Sequence, residues 1–429
     1  MRTIAAAVAC VQNGNGDQVL IAEGTTYGER LPTLWGKAGN SLLYPTVIES
    51  YDPTDALNEA KYGRATSGRP VITGNNAGQN FIMGVKGQGY VAVRGLDINP
   101  GNNSGQAISM VDVGDGILIE NNILRYTGLQ FTIFTSPQAH HWIVRGNAIY
   151  GSYTTDGGTS TVHGLYADGT DTLTVEDNVF WHNAWKIGAS RDDPDNGPTM
   201  FGHPIYQQTS TDAVVRRNLI ADGAADGGSY RGNATVTENV LIDDPIAIGA
   251  GGGTIYNTDR PNGVNLQVAY NAILGSADLN STSPRQWGIS SENGAQGSSF
   301  HNNLIARAAN PGGNPTYATD APYPQPSYMD YHDNVSYLWS LPGQVSNIGP
   351  HNVSNVFATF ENNVWDGPAS GSNSNIASHS LPNPYTIDQL SAALGFSGKQ
   401  AWIDYAINHP ETHPARNARS LLFAGYGLN

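Results

Sequence analysis

One short phrase recurs along most of this chain: an apolar residue, two variable residues, an asparagine, then one or two apolar residues. It stands at Ile119–Asn122, Val144–Asn147, Val175–Asn178, Val215–Asn218, Val236–Asn239, Val268–Asn271, Phe300–Asn303, Tyr331–Asn334 and Phe360–Asn363. Successive asparagines are 25, 31, 40, 21, 32, 32, 31 and 29 residues apart, and Val93–Leu96 is a degenerate copy with leucine in the asparagine's place. Repeats of this period mark stacked architectures in which each unit buries its apolar side only against its neighbours. The apolar stretches are short, alternating and bounded by Gly, Asn and Asp, as in Thr172–Glu176 and Ala234–Glu238, so the stacked unit is a coil of strands rather than a helix pair. Equivalent asparagines on neighbouring coils, roughly 4.7–4.9 Å apart, form a ladder. Each amide donates to one neighbour and accepts from the other, which satisfies polar groups at a buried turn. The unequal spacings place insertions in the turns.

Composition agrees. The 429 residues include Gly 51 and only 13% charged residues, a turn-rich chain of short strands. Net charge is −15 (21 − 36) with no Lys/Arg-rich run, which argues against nucleic acid or an anionic membrane as partner. No apolar run reaches the ~18 residues of a membrane span. Cys10 is the only cysteine, leaving no disulfide framework and no cysteine-based zinc site.

One continuous domain is expected over 1–429. Ile4, Val8 and Val11 fall at helical spacing, so residues 1–14 read as an N-terminal capping helix rather than a signal peptide, any export signal being absent from this chain. Residues 15–385 read as β-coils beginning with a strand at Gln18–Ala22, with long loops at 307–330 and 366–385. Residues 386–429, with helical patterns at Thr386–Leu394 and Ala401–Ile407, read as a C-terminal helical cap, because a solenoid must hide its open ends.

The opening Arg2–Ala9, the following Gly16–Gly24 and the asparagine phrases together resemble right-handed parallel β-helix proteins of the pectate-lyase-like superfamily. The resemblance covers most of the chain and implies an all-β, right-handed parallel β-helix of about ten or more coils. It also implies a carbohydrate-active protein, secreted or periplasmic, since the group holds polysaccharide lyases, glycoside hydrolases, uronate epimerases and phage tailspikes. The complete polygalacturonase motif set (Asn-Thr-Asp, Asp-Asp, Gly-His-Gly, Arg-Ile-Lys) is not found, Gly-His-Gly and Arg-Ile-Lys being absent, nor is the Asp-Pro-His motif of alginate epimerases, which argues against those two subfamilies.

The candidate site follows from a second repeat. His163–Tyr166 and His203–Tyr206 each lie 15 residues before a ladder asparagine, Asn178 and Asn218, so they occupy neighbouring rungs of one sheet. Strict strand alternation would split each His–Tyr pair between the two faces. Leu165 and Ile205 should face the core, so the histidines are expected at the strand edge, near a turn. His163 and His203 are candidates for proton transfer, and Tyr166 and Tyr206 for protonating a leaving oxygen or stacking on a sugar. Lys186 and Arg231 are the cations that could neutralise a uronate carboxylate, Arg231 by its bidentate fork. Arg191, Tyr230, Asp168, Gln208 and Trp287 are candidate substrate contacts. Arg216 and Arg217 read as turn charges. The longest interval, 40 residues, is the expected groove wall, and its Asp192, Asp193 and Asp195 make an oxygen-rich loop of a composition suited to Ca²⁺.

The leading expectation is a monomeric polysaccharide lyase that cleaves a uronic-acid-containing glycan by β-elimination. A β-helical glycoside hydrolase would instead need opposed carboxylates, for which Asp168, Asp192, Asp193 and Asp226 are the candidates. A non-catalytic glycan-binding or tailspike-like protein is the third reading.

Overall fold

The computed structural model describes residues 3–31, 34, 37–53, 68–74, 82–84, 89–101, 106–132, 140–153, 162–251, 264–283, 285–291, 295–307, 317–320, 329–339, 357–366, 373–412 and 415–428. Much of the loop expected at 307–330 and part of that at 366–385 lie outside them. Among the described residues the chain winds through three parallel sheets of 12, 13 and 9 strands. One coil shows the order: Leu173–Glu176 in the first sheet, Val179–Trp181 in the second, and Ile205–Gln207 in the third, before Ala213–Arg216 reopens the first. Each strand pairs in parallel with its equivalent one coil on, as Val175 with Val215 and Phe180 with Ile220. The fold is a right-handed parallel β-helix.

The asparagines make the corner between the first and second sheets. Asn178 Nδ2 donates to Asn218 Oδ1 at 3.0 Å and to Val144 O at 2.9 Å, while the Asn178 backbone N–H donates to the same Asn218 Oδ1. The pattern runs from Asn122 to Asn363 and ends on a tenth rung, Asn373, only 10 residues further on. Ser370 and Ser374, where the repeat template has apolar residues, hid it from that template. Residues before the rungs, among them Asp177 (φ 55°), Arg217 (φ 56°) and Glu238 (φ 58°), are left-handed, a conformation that costs a non-glycine residue roughly 1–2 kcal/mol. Several hydrogen bonds converge on each corner and hold it there.

The first and second sheets differ in what covers them. First-sheet strands alternate buried and half-buried residues, as in Leu173–Glu176, and their outward row carries cross-strand ion pairs: Arg94 with Glu49, Arg145 with Glu120, Arg216 with Glu176. Of the two expected turn charges, Arg217 stands at the corner, whereas Arg216 is corrected to the last residue of the strand Ala213–Arg216; both pair with Glu176. Second-sheet strands such as Leu219–Ala221 and Val240–Ile242 are buried on both faces. Their outer face is covered by the C-terminal helices α2 (Ile387–Ala393), α3 (Lys399–Asn408) and α4 (Ala415–Gly425), counting Ile4–Ala9 as α1. Trp402, Ile403, Leu422 and Phe423 join Val179, Leu219, Val240 and Leu274 in one apolar cluster.

This corrects the C-terminal cap. The helices lie along the flank of the solenoid, with Glu411 reaching back to Arg69 at 3.1 Å. They are there because sheet triplets such as Val179-Phe-Trp and Val240-Leu-Ile leave an apolar outer face that water would otherwise meet. The expected loops are corrected in part too: Tyr317–Asp320 is a third-sheet strand and Ser374–Asn375 a second-sheet strand. At the other end α1 forms as expected, capped by Thr3 and burying Ile4 and Val8.

Candidate functional site

The third sheet carries the His–Tyr repeat. Tyr166 pairs with Tyr206 and Tyr206 with Ser229 in one outward row. The flanking rows, Leu165–Ile205 and Ala167–Gln207–Tyr230, are buried. The strands begin at Leu165 and Ile205, so His163 and His203 precede them at a bend and escape strict alternation. Gly164 permits the bend: a Cβ there would stand 2.5 Å from Pro204 O on the next coil.

The imidazoles therefore share the side of the tyrosines and lie beneath them. The His163 and His203 rings are parallel within 2° at 5.4 Å, and Tyr206 lies 4.9 Å from His163 and 5.1 Å from His203. Each Nδ1 accepts a backbone N–H from the next coil: His203 N–H to His163 Nδ1 at 3.3 Å, and Asp226 N–H to His203 Nδ1 at 3.4 Å. Burial pushes the His163 pKa down to about 3, with the Arg231 cation adding to the effect. His203 is likewise held well below its ordinary value by burial, then by His163 and Arg231. An acceptor role at Nδ1 fits the same neutral state. The Asp226 carboxylate lies 3.5 Å from His203 Nδ1, but desolvation dominates at this depth.

Above the imidazoles the polar groups converge. Arg231 Nη1 donates to Tyr206 Oη at 2.7 Å, and its guanidinium lies over the same ring, 4.9 Å from the centroid. Tyr166 Oη donates to Gln208 Oε1 at 3.1 Å and approaches Asp168 Oδ2 at 3.2 Å. Asp168 is also held by the Thr209 hydroxyl. His163, His203, Tyr166, Tyr206, Arg231, Asp168 and Gln208 are thus brought together; the common offset to the ladder asparagines accounts for the two His–Tyr pairs.

Others separate from this group. Tyr230 is corrected to a core residue: it is fully buried, its hydroxyl has no hydrogen-bond partner among the described residues, and Ser229 takes the outward place beside Tyr206. Lys186 is exposed on the long loop. Trp287 starts a strand two coils beyond Tyr230, under the Arg285 guanidinium at 4.7 Å. Arg191 lies 4.7 Å over Trp185 on the far side of the turn. Backbone donors engage two carboxylates of the oxygen-rich loop: Asp193 Oδ1 accepts from the Asp195 and Asn196 N–H groups within it, and Asp192 Oδ1 from Ser281 N–H outside it. Those bonds draw both carboxyls below their ordinary values. No cluster of three or more His, Cys, Asp or Glu able to hold a metal occurs among the described residues, so the Ca²⁺ ligand set Asp192, Asp193 and Asp195 is not assembled.

Sequence reading missed a further group: Trp181, Trp185, Asp222, Asp243 and Lys399. Asp222 and Asp243 lie at the same place in successive coils, just after the second-sheet triplets, and Trp181 closes the triplet of the coil before them. That regularity is visible in the sequence once the triplets are aligned.

Residues 84–273 match the family described as right handed beta helix region. No curated protein sequence matches the chain. Among solved structures it is similar to a mutant of a PL6-family alginate lyase (13% identity, TM-score 0.36, covering 81% of this chain and 52% of that one). It is also similar to a GH136 lacto-N-biosidase from Eubacterium ramulus (13%, 0.35, 87% and 64%). A third is the catalytic unit of a thermostable GH87 α-1,3-glucanase from Streptomyces thermodiastaticus (16%, 0.31, 86% and 66%). The chain spans between about half and two thirds of the length of these structures.

Proposed function

We propose that the chain is a carbohydrate-active enzyme, a polysaccharide lyase that cleaves a uronic-acid-containing glycan laid across the coils over Tyr166 and Tyr206. The observation that carries this reading is the Arg231–Tyr206 pair at 2.7 Å on the outward face of the third sheet. A polymeric substrate of this kind puts the enzyme outside the cytoplasm.

β-Elimination needs three things: a positive group on the substrate carboxylate to acidify C5–H, a base for that proton, and an acid for the leaving oxygen. Arg231 offers its remaining N–H groups to the carboxylate in a fork suited to it. The same cation stabilises negative charge on Tyr206 Oη, which fits that oxygen to take the C5 proton. The C5–H electrons then form the C4=C5 double bond as the C4–O bond breaks. Tyr166, poised by Asp168 and Gln208, is placed to give its proton to the departing oxygen. His163 and His203 act as positioning residues in this scheme: buried and neutral, they fix the tyrosine rings by stacking and the coil register through Nδ1.

Absorbance of unsaturated product ends on uronate polymers tests the proposal. Tyr206→Phe should lower turnover by about 10²–10⁴-fold, the usual weight of a general base. Arg231→Lys should not restore an Arg231→Met loss, because an ammonium lacks the bidentate fork. Reducing sugar released without unsaturated ends would overturn the reading in favour of hydrolysis.

A further inference from the structure

A second concavity, of about 480 Å³, opens at the corner between the second and third sheets. Its lining includes Trp181, His182, Trp185, Arg191, Asp222 and Asp243. Successive coils build it: His182 (φ 52°), Asp222 (φ 54°) and Asp243 (φ 57°) are equivalent left-handed corner residues. Trp185 and Arg191 enter from the long loop, and Lys399 and Gln400 from the first turn of α3.

The aromatic part is held in place by directed contacts. Trp181 Nε1 donates to Asp222 Oδ2 at 3.1 Å and Trp185 Nε1 to Asp222 O at 2.8 Å. The His182 ring stands edge-on to Trp185 at 3.9 Å. The carboxylates are held as well, by Lys399 Nζ at 3.0 Å from Asp222 Oδ1 and 2.7 Å from Asp243 Oδ2. Two polar atoms are left over. Arg191 Nη1 and His182 Nδ1 are buried without a hydrogen-bond partner among the described residues, and His182 as a whole is only 7% exposed. Buried polar atoms are nearly always satisfied, so an orphaned donor and an orphaned ring nitrogen beside a cavity mark where a ligand's polar groups belong.

Charge then restricts the ligand. Two cations, Arg191 and Lys399, face two carboxylates, Asp222 and Asp243. Asp244 behind them is buried and its carboxyl is held well above the ordinary range by desolvation. Balanced charge favours neither a phosphate nor an amine. Indole faces, carboxylate acceptors and a guanidinium donor together suit a ring with apolar C–H faces and hydroxyls at its rim. We propose that this pocket is a second sugar-binding site that takes one neutral pyranose unit, stacked on Trp181 and Trp185 with its hydroxyls on Asp222, Asp243 and Arg191. The site stands independently of the β-elimination reading.

The test is a ligand-observed NMR titration of the full chain with the methyl glycosides of glucose, galactose, mannose and N-acetylglucosamine, and with methyl glucuronoside and inorganic phosphate as charged controls. At least one neutral glycoside should bind saturably and more tightly than either control. Arg191→Met should weaken it by about tenfold or more, the scale of one hydrogen bond to a charged group. Gln400→Trp, an exposed lining position at the mouth, should block the pocket while leaving Trp181, Trp185, Asp222, Asp243 and Arg191 in place. Thermal midpoints confirm that both variants remain folded, and Tyr206→Phe should bind as the wild type does even where turnover is lost. Absence of binding by all four neutral glycosides, unchanged binding in Gln400→Trp, or tighter binding of a charged control would overturn the proposal.

Discussion

Histidines 163 and 203 look catalytic in sequence, while their burial fits the positioning role proposed for them. Imidazole is the side chain tuned for proton transfer near neutrality, and two copies at one offset invite that role. Burial favours a positioning role instead, pushing the His163 pKa down to about 3. The sign of the stability effect follows. Unfolded histidine protonates near 6.5, so between that value and about 3 the unfolded chain binds more protons than the folded one. Stability is therefore full above this window and falls as pH drops through it. Thermal midpoints from pH 7 to 4 should fall more steeply for the wild type than for His163→Gln/His203→Gln; equal slopes would refute the buried neutral pair. The approximate place of these residues was legible from the asparagine register. Their depth was not, because it depends on the bend at Gly164 and on the tyrosines of the neighbouring coil. Tyr230 failed for the complementary reason: alternation is strict in that strand and turns it inward.

At the scale of elements the ladder was the most legible feature, since one polar residue at a buried turn must recur if each amide is to satisfy the next. Asn218 accepts from the Asn178 backbone and side chain and donates to Val175 O and Asn239 Oδ1. Asn218→Ala orphans several of these groups, each worth about 1–3 kcal/mol, so a loss of about 3 kcal/mol or more is expected in denaturant unfolding. Asn373, half-buried at the last rung, should cost under about 1 kcal/mol as alanine, because water can replace its bonds. Equal losses at the two positions would contradict the ladder account. The second-sheet triplets carried a signal that went unused. Strands apolar throughout, such as Val240-Leu-Ile, announce that both faces are covered, though they do not say by what.

For the whole molecule, the C-terminal helices are the part least legible in sequence. Amphipathic spacing gives a helix but not its berth, and an end cap and a flank brace need the same apolar stripe. The brace has consequences. Trp402, fully buried in the second-sheet cluster, should cost about 3–5 kcal/mol as alanine and expose dye-binding apolar surface along the flank; a near-neutral thermal shift would argue that the helices dock only loosely. The brace also supplies Lys399 to the acidic corner at Asp222 and Asp243, so the same variant should disturb the Trp181–Trp185 pocket while leaving the tyrosine row in place. That row carries the proposed elimination of the glycan bond. Turnover in heavy-oxygen water, with the products read by mass spectrometry, addresses it directly. Elimination over Tyr206 and Arg231 predicts unsaturated ends and no solvent oxygen in either product; one heavy oxygen incorporated per bond cleaved would contradict it.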